Sequence, residues 1–411
     1  MSVRPTSRST ADRFVRDRFT LSLYAPFIAW GWFLYAFSPA VPLIAVEQGI
    51  SRGVAGLHGT GMALGSVVTG LTSHAMTRRI GRRGQAVVGA GLTALGVALL
   101  LTVPVTVVTV LACVVAGAGG TYLVTAAQPA LLQHQKRFGT AAVTEGNALG
   151  AAVGLLAPLA LGAFVAAGLG WRPAVSIEIV LAVAVAMLVL RLPRGGALGH
   201  GESVAVPVAS ATAVRVRFPR AFWLYWTAMV SGVAVEFATT FWASDLVIQQ
   251  TDAPASVAAA SVSALVLGMA TARFVVGPLS THRSPGGLLL VGFAVAGLGW
   301  ILLWTATSPV VAVLGLVVTG LGFGTHYPLA VALALGGSGG RPDAGQGLLT
   351  LGSGVAVGLA PFLLGGAADL VGPHQAFLLV PAILAVGGTA VAIAIKDDAK
   401  PTALRRALRL P

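Results

Sequence analysis

Charge is the scarcest property of this 411-residue chain. Asp, Glu, Lys and Arg together make up 9% of it, against 56% hydrophobic residues. Soluble domains carry about 25% charged residues, and so few charges could not cover a soluble surface of this size. Lipid is therefore the expected solvent. The single cysteine, Cys113, lies inside an apolar run, which excludes an internal disulfide and any cysteine-based metal cluster. Lysine is nearly missing as well: only Lys136, Lys396 and Lys400 stand among 26 basic residues. There is no Walker-type phosphate loop and no paired-histidine metal motif, and no nucleophile stands beside a base. ATP-driven pumping by this chain alone, a metal centre, a cofactor and enzymatic chemistry are accordingly not expected. The net charge of +13 would suggest a nucleic-acid partner in a soluble protein. Here the basic residues fill short gaps between apolar runs, and no nucleic acid is expected.

Those apolar runs are what the chain has in abundance. A helix rises about 1.5 Å per residue, so crossing a hydrocarbon core of about 30 Å takes roughly 20 residues. Runs of that length occupy 19–46, 54–76, 85–103, 105–132, 141–168 and 172–192, then 221–247, 255–280, 286–306, 310–335, 345–370 and 375–395. They do not alternate polar with apolar residues, which argues against a transmembrane barrel. The first run is too long for a signal-peptide core and reads as a retained helix. The split between the third and fourth rests on Pro104 alone. The fold class expected is all-α: a polytopic membrane protein of 12 transmembrane helices.

Basic residues test that count. The tail 1–18, Arg78 to Arg83, Lys136 and Arg137, the central segment, Arg283, Arg341 and the C-terminal tail hold 23 of the 26. The opposite side holds Arg52 and Arg172, and Arg273 lies within a run. Basic residues collect in cytoplasmic loops, so both termini are expected in the cytoplasm and the number of spans is expected to be even.

The chain also repeats at one offset of 203 residues. Leu156-Ala157-Pro158 with Leu161-Gly162 recurs as Leu359-Ala360-Pro361 with Leu364-Gly365. Val114-Val115 with Gly117 and Gly119 recurs as Val317-Val318 with Gly320 and Gly322, and Leu64-Gly65 as Leu267-Gly268. Glycine and proline registering in three helix pairs without a gap indicates duplication. Odd spans match odd and even match even, so the halves have parallel orientation. The expected organisation is a tail 1–18, a six-helix bundle 19–192, a cytoplasmic linker 193–219, a second bundle 220–395 and a tail 396–411.

Six plus six helices, a polar central loop and a basic turn after the second helix resemble the major facilitator superfamily of secondary transporters. That family has a glycine-rich signature in this turn, with an acid followed by basic residues. Here the turn reads His74-Ala75-Met76-Thr77-Arg78-Arg79-Ile80-Gly81-Arg82-Arg83. Arg79, Gly81, Arg82 and Arg83 fit, which implies a gating role for them, while His74 replaces the first glycine and Arg78 the acid. The second-half turn, Gly277-Pro278-Leu279-Ser280-Thr281, keeps the glycine and also lacks the acid. A glycine-and-proline ladder in the fifth span, Gly150, Gly154, Pro158 and Gly162, is similar to the signature of the family's antiporters. Spacing of four puts it on one helix face, where it serves close packing or a hinge. A related ladder surrounds Pro361. An arginine typical of proton-driven exporters would fall at Cys113 and is absent.

Ionisable groups inside a bilayer are usually functional. Glu236 lies among apolar residues mid-way along the seventh span, and a carboxyl in such a setting suits proton exchange near neutral pH. His326, followed by Tyr327 and Pro328, sits deep in the tenth; histidine titrates closest to physiological pH. In the resembled family the seventh and tenth helices line the central cavity, so Glu236 and His326 are the expected proton-coupling pair, with backbone-bonded packing as the other reading of His326. Glu145 and Asn147 open the fifth span, where an acid favours the helix dipole. Glu178 is placed to bond a neighbouring helix, Asp245 to meet water, and Arg273 to snorkel or pair with an acid. Tyr35, Tyr122, Gln128, Trp242 and Tyr327 join Glu236 and His326 as candidate substrate contacts, and Trp30 and Trp242 equally suit the membrane interface. Arg273, Gly154, Pro158 and Pro361 complete the gating candidates. The resemblance implies alternating access, driven by protons, for a small organic solute in a bacterial plasma membrane, with a monomer as the working unit. The ladder favours export and the missing arginine opposes it, so uptake stays open, as does a non-transporting sensor on the same scaffold.

Overall fold

The computed structural model describes residues 14–200, 218–280, 282–340 and 342–399. Most of the tail 1–18, the greater part of the linker including Glu202, Arg341 and residues 400–411 lie outside them. The described residues are helical with no strand: α1 (Arg18–Phe37), α2 (Val41–Gln48), α3 (Arg52–Thr102), α4 (Thr106–Gln135), α5 (Gly139–Gly154), α6 (Leu156–Ala166), α7 (Arg172–Arg191), α8 (Arg220–Thr251), α9 (Ala255–Leu279), α10 (Pro285–Trp304), α11 (Pro309–Gly336), α12 (Pro342–Val371), α13 (Pro373–Ala376) and α14 (Leu379–Ala399). In lipid each backbone polar group must find its partner within the protein, and long helices achieve this locally. Their starts follow familiar chemistry. Asp17, Ser51, Ser284 and Ser308 each accept the backbone N–H group three residues on, and proline opens α10 and α11, where its missing N–H costs nothing. Burial acts to raise the Asp17 carboxyl, yet Thr20 and His134 hold it below the ordinary aspartate range. This cap is therefore in place at neutral pH and is lost as pH falls through that lowered value.

Eleven segments among the described residues are long and apolar enough to cross a bilayer, against the twelve expected. The difference lies in α3, a 51-residue stretch in which two helices meet across a kink at the turn where two spans were expected to part. Gly81 inside it adopts φ 72°, ψ 167°, a conformation essentially restricted to glycine, and bends the helix there. The break at Pro104 is present, with α3 ending at Thr102 and α4 starting at Thr106. Prolines also divide spans. Pro158 has no N–H for the Gly154 carbonyl, and α5 gives way to α6 at Leu155. Pro39 and Pro42 accompany the 3-10 turn between α1 and α2.

The duplication reappears as packing. A Cβ added at Gly119 of α4 would lie 2.6 Å from the Gly89 carbonyl, and one at Gly322 of α11 2.6 Å from the Gly292 carbonyl. Gly65 abuts the Val114 carbonyl as Gly268 abuts that of Val317, and Gly117 abuts Met62 as Gly320 abuts Leu265. All these pairs differ by 203. Small residues are retained because the helix backbones themselves touch there.

α3 and α12 approach each other over only part of their length. Gly53, Gly56, Thr60 and Ala63 pack on Gly366, Phe362 and Gly358, and Val67 still reaches the Gly354 position at 3.9 Å. Ser263 of α9 donates to the Leu155 carbonyl at 2.9 Å, and Gly162 meets the Ser256 carbonyl. The segments before and after the linker are thus joined at the end that carries Arg52, where α6 lies along α9, and part toward the other end, where α5 scarcely meets α9.

Candidate functional site

Where this divergence begins, four polar side chains gather. Arg273 of α9 and Glu236 of α8 form an ion pair at 4.0 Å (Nη2 to Oε1), and their side chains are 39% and 13% exposed. The Tyr35 hydroxyl of α1 is within interaction range of both, and Tyr327 of α11 within range of Glu236. Gly154 makes room for the Tyr35 ring: a Cβ there would be 2.5 Å from ring carbon Cδ2. A charged pair, two phenol groups and a glycine-lined wall can bind a solute and exchange a proton.

The Arg52 end beyond this group is closed. Phe37 of α1 meets Phe241 of α8 edge-on, centroids 6.3 Å apart, and both are fully buried. Past these rings, Arg52 grips Asp245 of α8 at 2.7 Å from Nε and 3.3 Å from Nη2. Asp369 of α12 accepts the Arg52 and Gly53 N–H groups at 2.8 and 2.7 Å, so a carboxylate from one helix caps another. A pocket of about 230 Å³ lies over this latch, lined partly by Ala45, Ile50 and Trp242. Charge-assisted bonds of this kind contribute about 1.5–3 kcal/mol each when sheltered; partial exposure of Arg52 and Asp245 reduces that toward the surface value of about 1 kcal/mol or less. Asp245→Asn is expected to speed maleimide labelling of a cysteine placed at Ala45 roughly fivefold, since about 1 kcal/mol of closure is lost. Unchanged labelling would show that the latch does not hold this end shut.

Several expected site residues sit elsewhere. His326 is buried, stacked on Phe293 at 4.0 Å and packed against Gly232. The Gly292 carbonyl lies near its ring without hydrogen-bond geometry, and neither ring nitrogen has a described partner. It shares no bond with Glu236, which lies one helical turn beyond Gly232. Tyr122 is buried with its hydroxyl bonded to Thr72, beside a network in which Gln85 donates to Ser73, Thr125 and the Tyr122 carbonyl. Trp242 donates to the Pro361 carbonyl at 2.8 Å, near the latch. Gln128 is half-buried on α4, with no hydrogen bond to the Glu236 group. Pro158 is buried in α6.

In the turn, Arg79 is exposed, whereas Arg82 is buried and donates to Gln133 at 2.6 Å and to the Ala197 carbonyl at 2.9 Å. Its backbone N–H reaches the Gly199 carbonyl, and Arg83 bonds the Leu190 carbonyl. The basic turn without its acid is therefore fastened to the chain's own linker. Asp245 pairs with Arg52 rather than only meeting water. Glu145 accepts from Arg16 at 2.6 Å and Tyr24 at 2.9 Å. Glu178, expected to bond another helix, is fully buried with no described partner for either oxygen. The latch residues Arg52 and Asp369 were missed as site residues. The available signal was that Arg52 is one of only two basic residues on the sparse side of the charge partition.

Comparisons with known proteins agree with this architecture. No curated protein sequence matches the chain. Among solved structures, a bacterial homologue of the human lysosomal transporter Spinster, inward-facing and unoccupied, aligns with a TM-score of 0.73 at 16% identity, covering 96% of this chain and 100% of that one. The nucleoside transporter NupG aligns at 0.71 with 11% identity, covering 92% and 98%. The fucose:proton symporter FucP of E. coli aligns at 0.60 with 16% identity, covering 91% and 98%. Such identities speak for the fold alone. The family model of the Major Facilitator Superfamily matches residues 23–341, more than three-quarters of the chain, and this integral membrane protein belongs to that superfamily.

Proposed function

We infer that the chain is a secondary transporter rather than an enzyme, moving a small, partly apolar organic solute by alternating access with proton coupling. In this reading α3 contributes two spans on either side of Gly81, the total is twelve, and residues 19–192 and 220–395 are parallel six-helix halves. Both termini and the linker face the cytoplasm of a bacterial cell whose plasma membrane holds the monomer. The Arg52 end then faces outward. The observation that carries the proposal is the one-sided closure: a polar group between the halves is sealed by Phe37, Phe241 and the Arg52 latch on one side, while the helices part on the other.

Glu236 is the proton carrier in this account. It is the acid nearest the parting of the halves, its partner Arg273 is held at the limit of an ion pair, and a small movement separates them. His326, enclosed by Phe293 and Gly232, serves the rigidity of α8, α10 and α11 better than it serves proton exchange. The direction proposed is export. Everted membrane vesicles with an acidic lumen, and so an outwardly directed proton gradient, are expected to accumulate the solute in the lumen in exchange for protons. Accumulation only in right-side-out vesicles with an acidic medium would make the protein an importer, and tight binding with no flux in either would make it a sensor.

A further inference from the structure

Two other arginine–carboxylate pairs among the described residues engage both carboxylate oxygens. Arg52 is bidentate on Asp245, and Arg172 donates to both oxygens of Glu47. Arg273 is different. Its planar fork carries five N–H donors, yet among the described residues it meets only one Glu236 oxygen, at 4.0 Å, and the Tyr35 hydroxyl. Its side chain is also three times as exposed as that of the acid beside it, 39% against 13%. Tyr327, 40% exposed, and the Tyr35 ring offer flat apolar faces within range of the pair.

We propose that the solute is an organic monocarboxylate with an aromatic or alkyl body, its carboxylate seated bidentate on Arg273 and its body between Tyr35 and Tyr327. This rests on the transporter reading and names the substrate class of the same site. An unsaturated guanidinium in an apolar setting is a recognition element for a planar anion, whereas a cationic solute would have to approach Glu236 beside Arg273. Net charge decides as well: the Glu236–Arg273 pair is neutral before binding, and Arg273 is the one group of the four that can compensate an incoming anion.

The test is binding to the purified full chain in detergent, by calorimetry and thermal shift, with hexanoate, benzoate and 2-naphthoate, each against its neutral amide and its ammonium counterpart. At least one carboxylate is expected to bind tighter than about 1 mM, with its amide and ammonium forms about 10- to 100-fold weaker. Arg273→Gln is expected to abolish that preference, and Arg273→Lys, which keeps the charge but loses the fork, to retain part of it, both with melting points close to the parent protein. Equal or better binding of amides or ammonium forms, no carboxylate reaching about 1 mM, or an undiminished preference in Arg273→Gln would overturn the assignment. Flux separates the two layers. Carboxylates bound through Arg273 but never moved by proteoliposomes would contradict the transport reading alone, and proton-driven flux of a cation would contradict the anion assignment alone.

Discussion

Glu236→Gln protein reconstituted in liposomes is expected to lose proton-driven accumulation of its solute while still exchanging solute for solute. Glutamine keeps the shape and the polar contacts of glutamate but cannot carry a proton. The magnitude follows from the gradient. A pH difference of two units is worth about 2.7 kcal/mol per proton, which at one proton per cycle sustains a concentration ratio of about 100-fold. Without a titrating carboxyl the ratio should collapse toward one, whereas equilibrium exchange, which needs only rocking of the halves, should persist. Glu236→Asp should retain part of the accumulation, because the group still titrates but sits farther from Arg273. Full uphill transport by the glutamine variant would remove Glu236 from the coupling role.

Stability should be most sensitive where the two halves repeat each other. Gly268→Val is expected to prevent accumulation of folded protein, because a side chain there would press into the Val317 carbonyl and sit 2.8 Å from the Leu321 nitrogen, both backbone atoms that cannot move aside. Gly65→Val should act likewise against Val114 and the Ala118 nitrogen. Overpacking of ordinary cores costs about 1–3 kcal/mol, and a clash with helix backbone exceeds that range, while total stabilities are about 5–15 kcal/mol. Gly91 and Gly297 make the controls: nothing lies within 4 Å of a Cβ there, so alanine should be tolerated or slightly stabilising. Size-exclusion profiles and thermal melts of the four variants measure this, and a folded, parent-like Gly268→Val would refute the close helix contact.

These residues also show how far the sequence could be read. Gly65 and Gly268, or Gly119 and Gly322, declare themselves by register, because a helix backbone contact forbids a side chain at every copy and the duplication preserves the spacing. Span positions were equally legible, since lipid demands about 20 apolar residues per crossing. The turn at Gly81 was legible as well, because the glycine stands among basic residues between two apolar runs, and two helices meet there across a kink. Rotation of helices about their axes was not legible. It puts Tyr327 in the opening and His326, one residue earlier, against Phe293. Nor was the latch: Arg52 finds Asp245 and Asp369 at separations of 193 and 317 residues, and no local pattern announces such a meeting. Arg273 and Glu236 were each conspicuous as charges in apolar runs, yet their pairing depends on how α8 and α9 pack.

Reciprocal movement of the two ends is the core of this account, and spin-label distances measure it directly. Cys113 is fully buried, so introduced cysteines can be labelled selectively in an otherwise intact chain. One pair would join Val46 to Leu370, both exposed at the Arg52 end, and a second would join Leu71 to Leu351, exposed beyond the point where α3 and α12 part. Between acid and alkaline pH, and on adding solute, one distance is expected to lengthen as the other shortens, so that the ends never open together. Two distances that stay fixed, or that lengthen in concert, would contradict it.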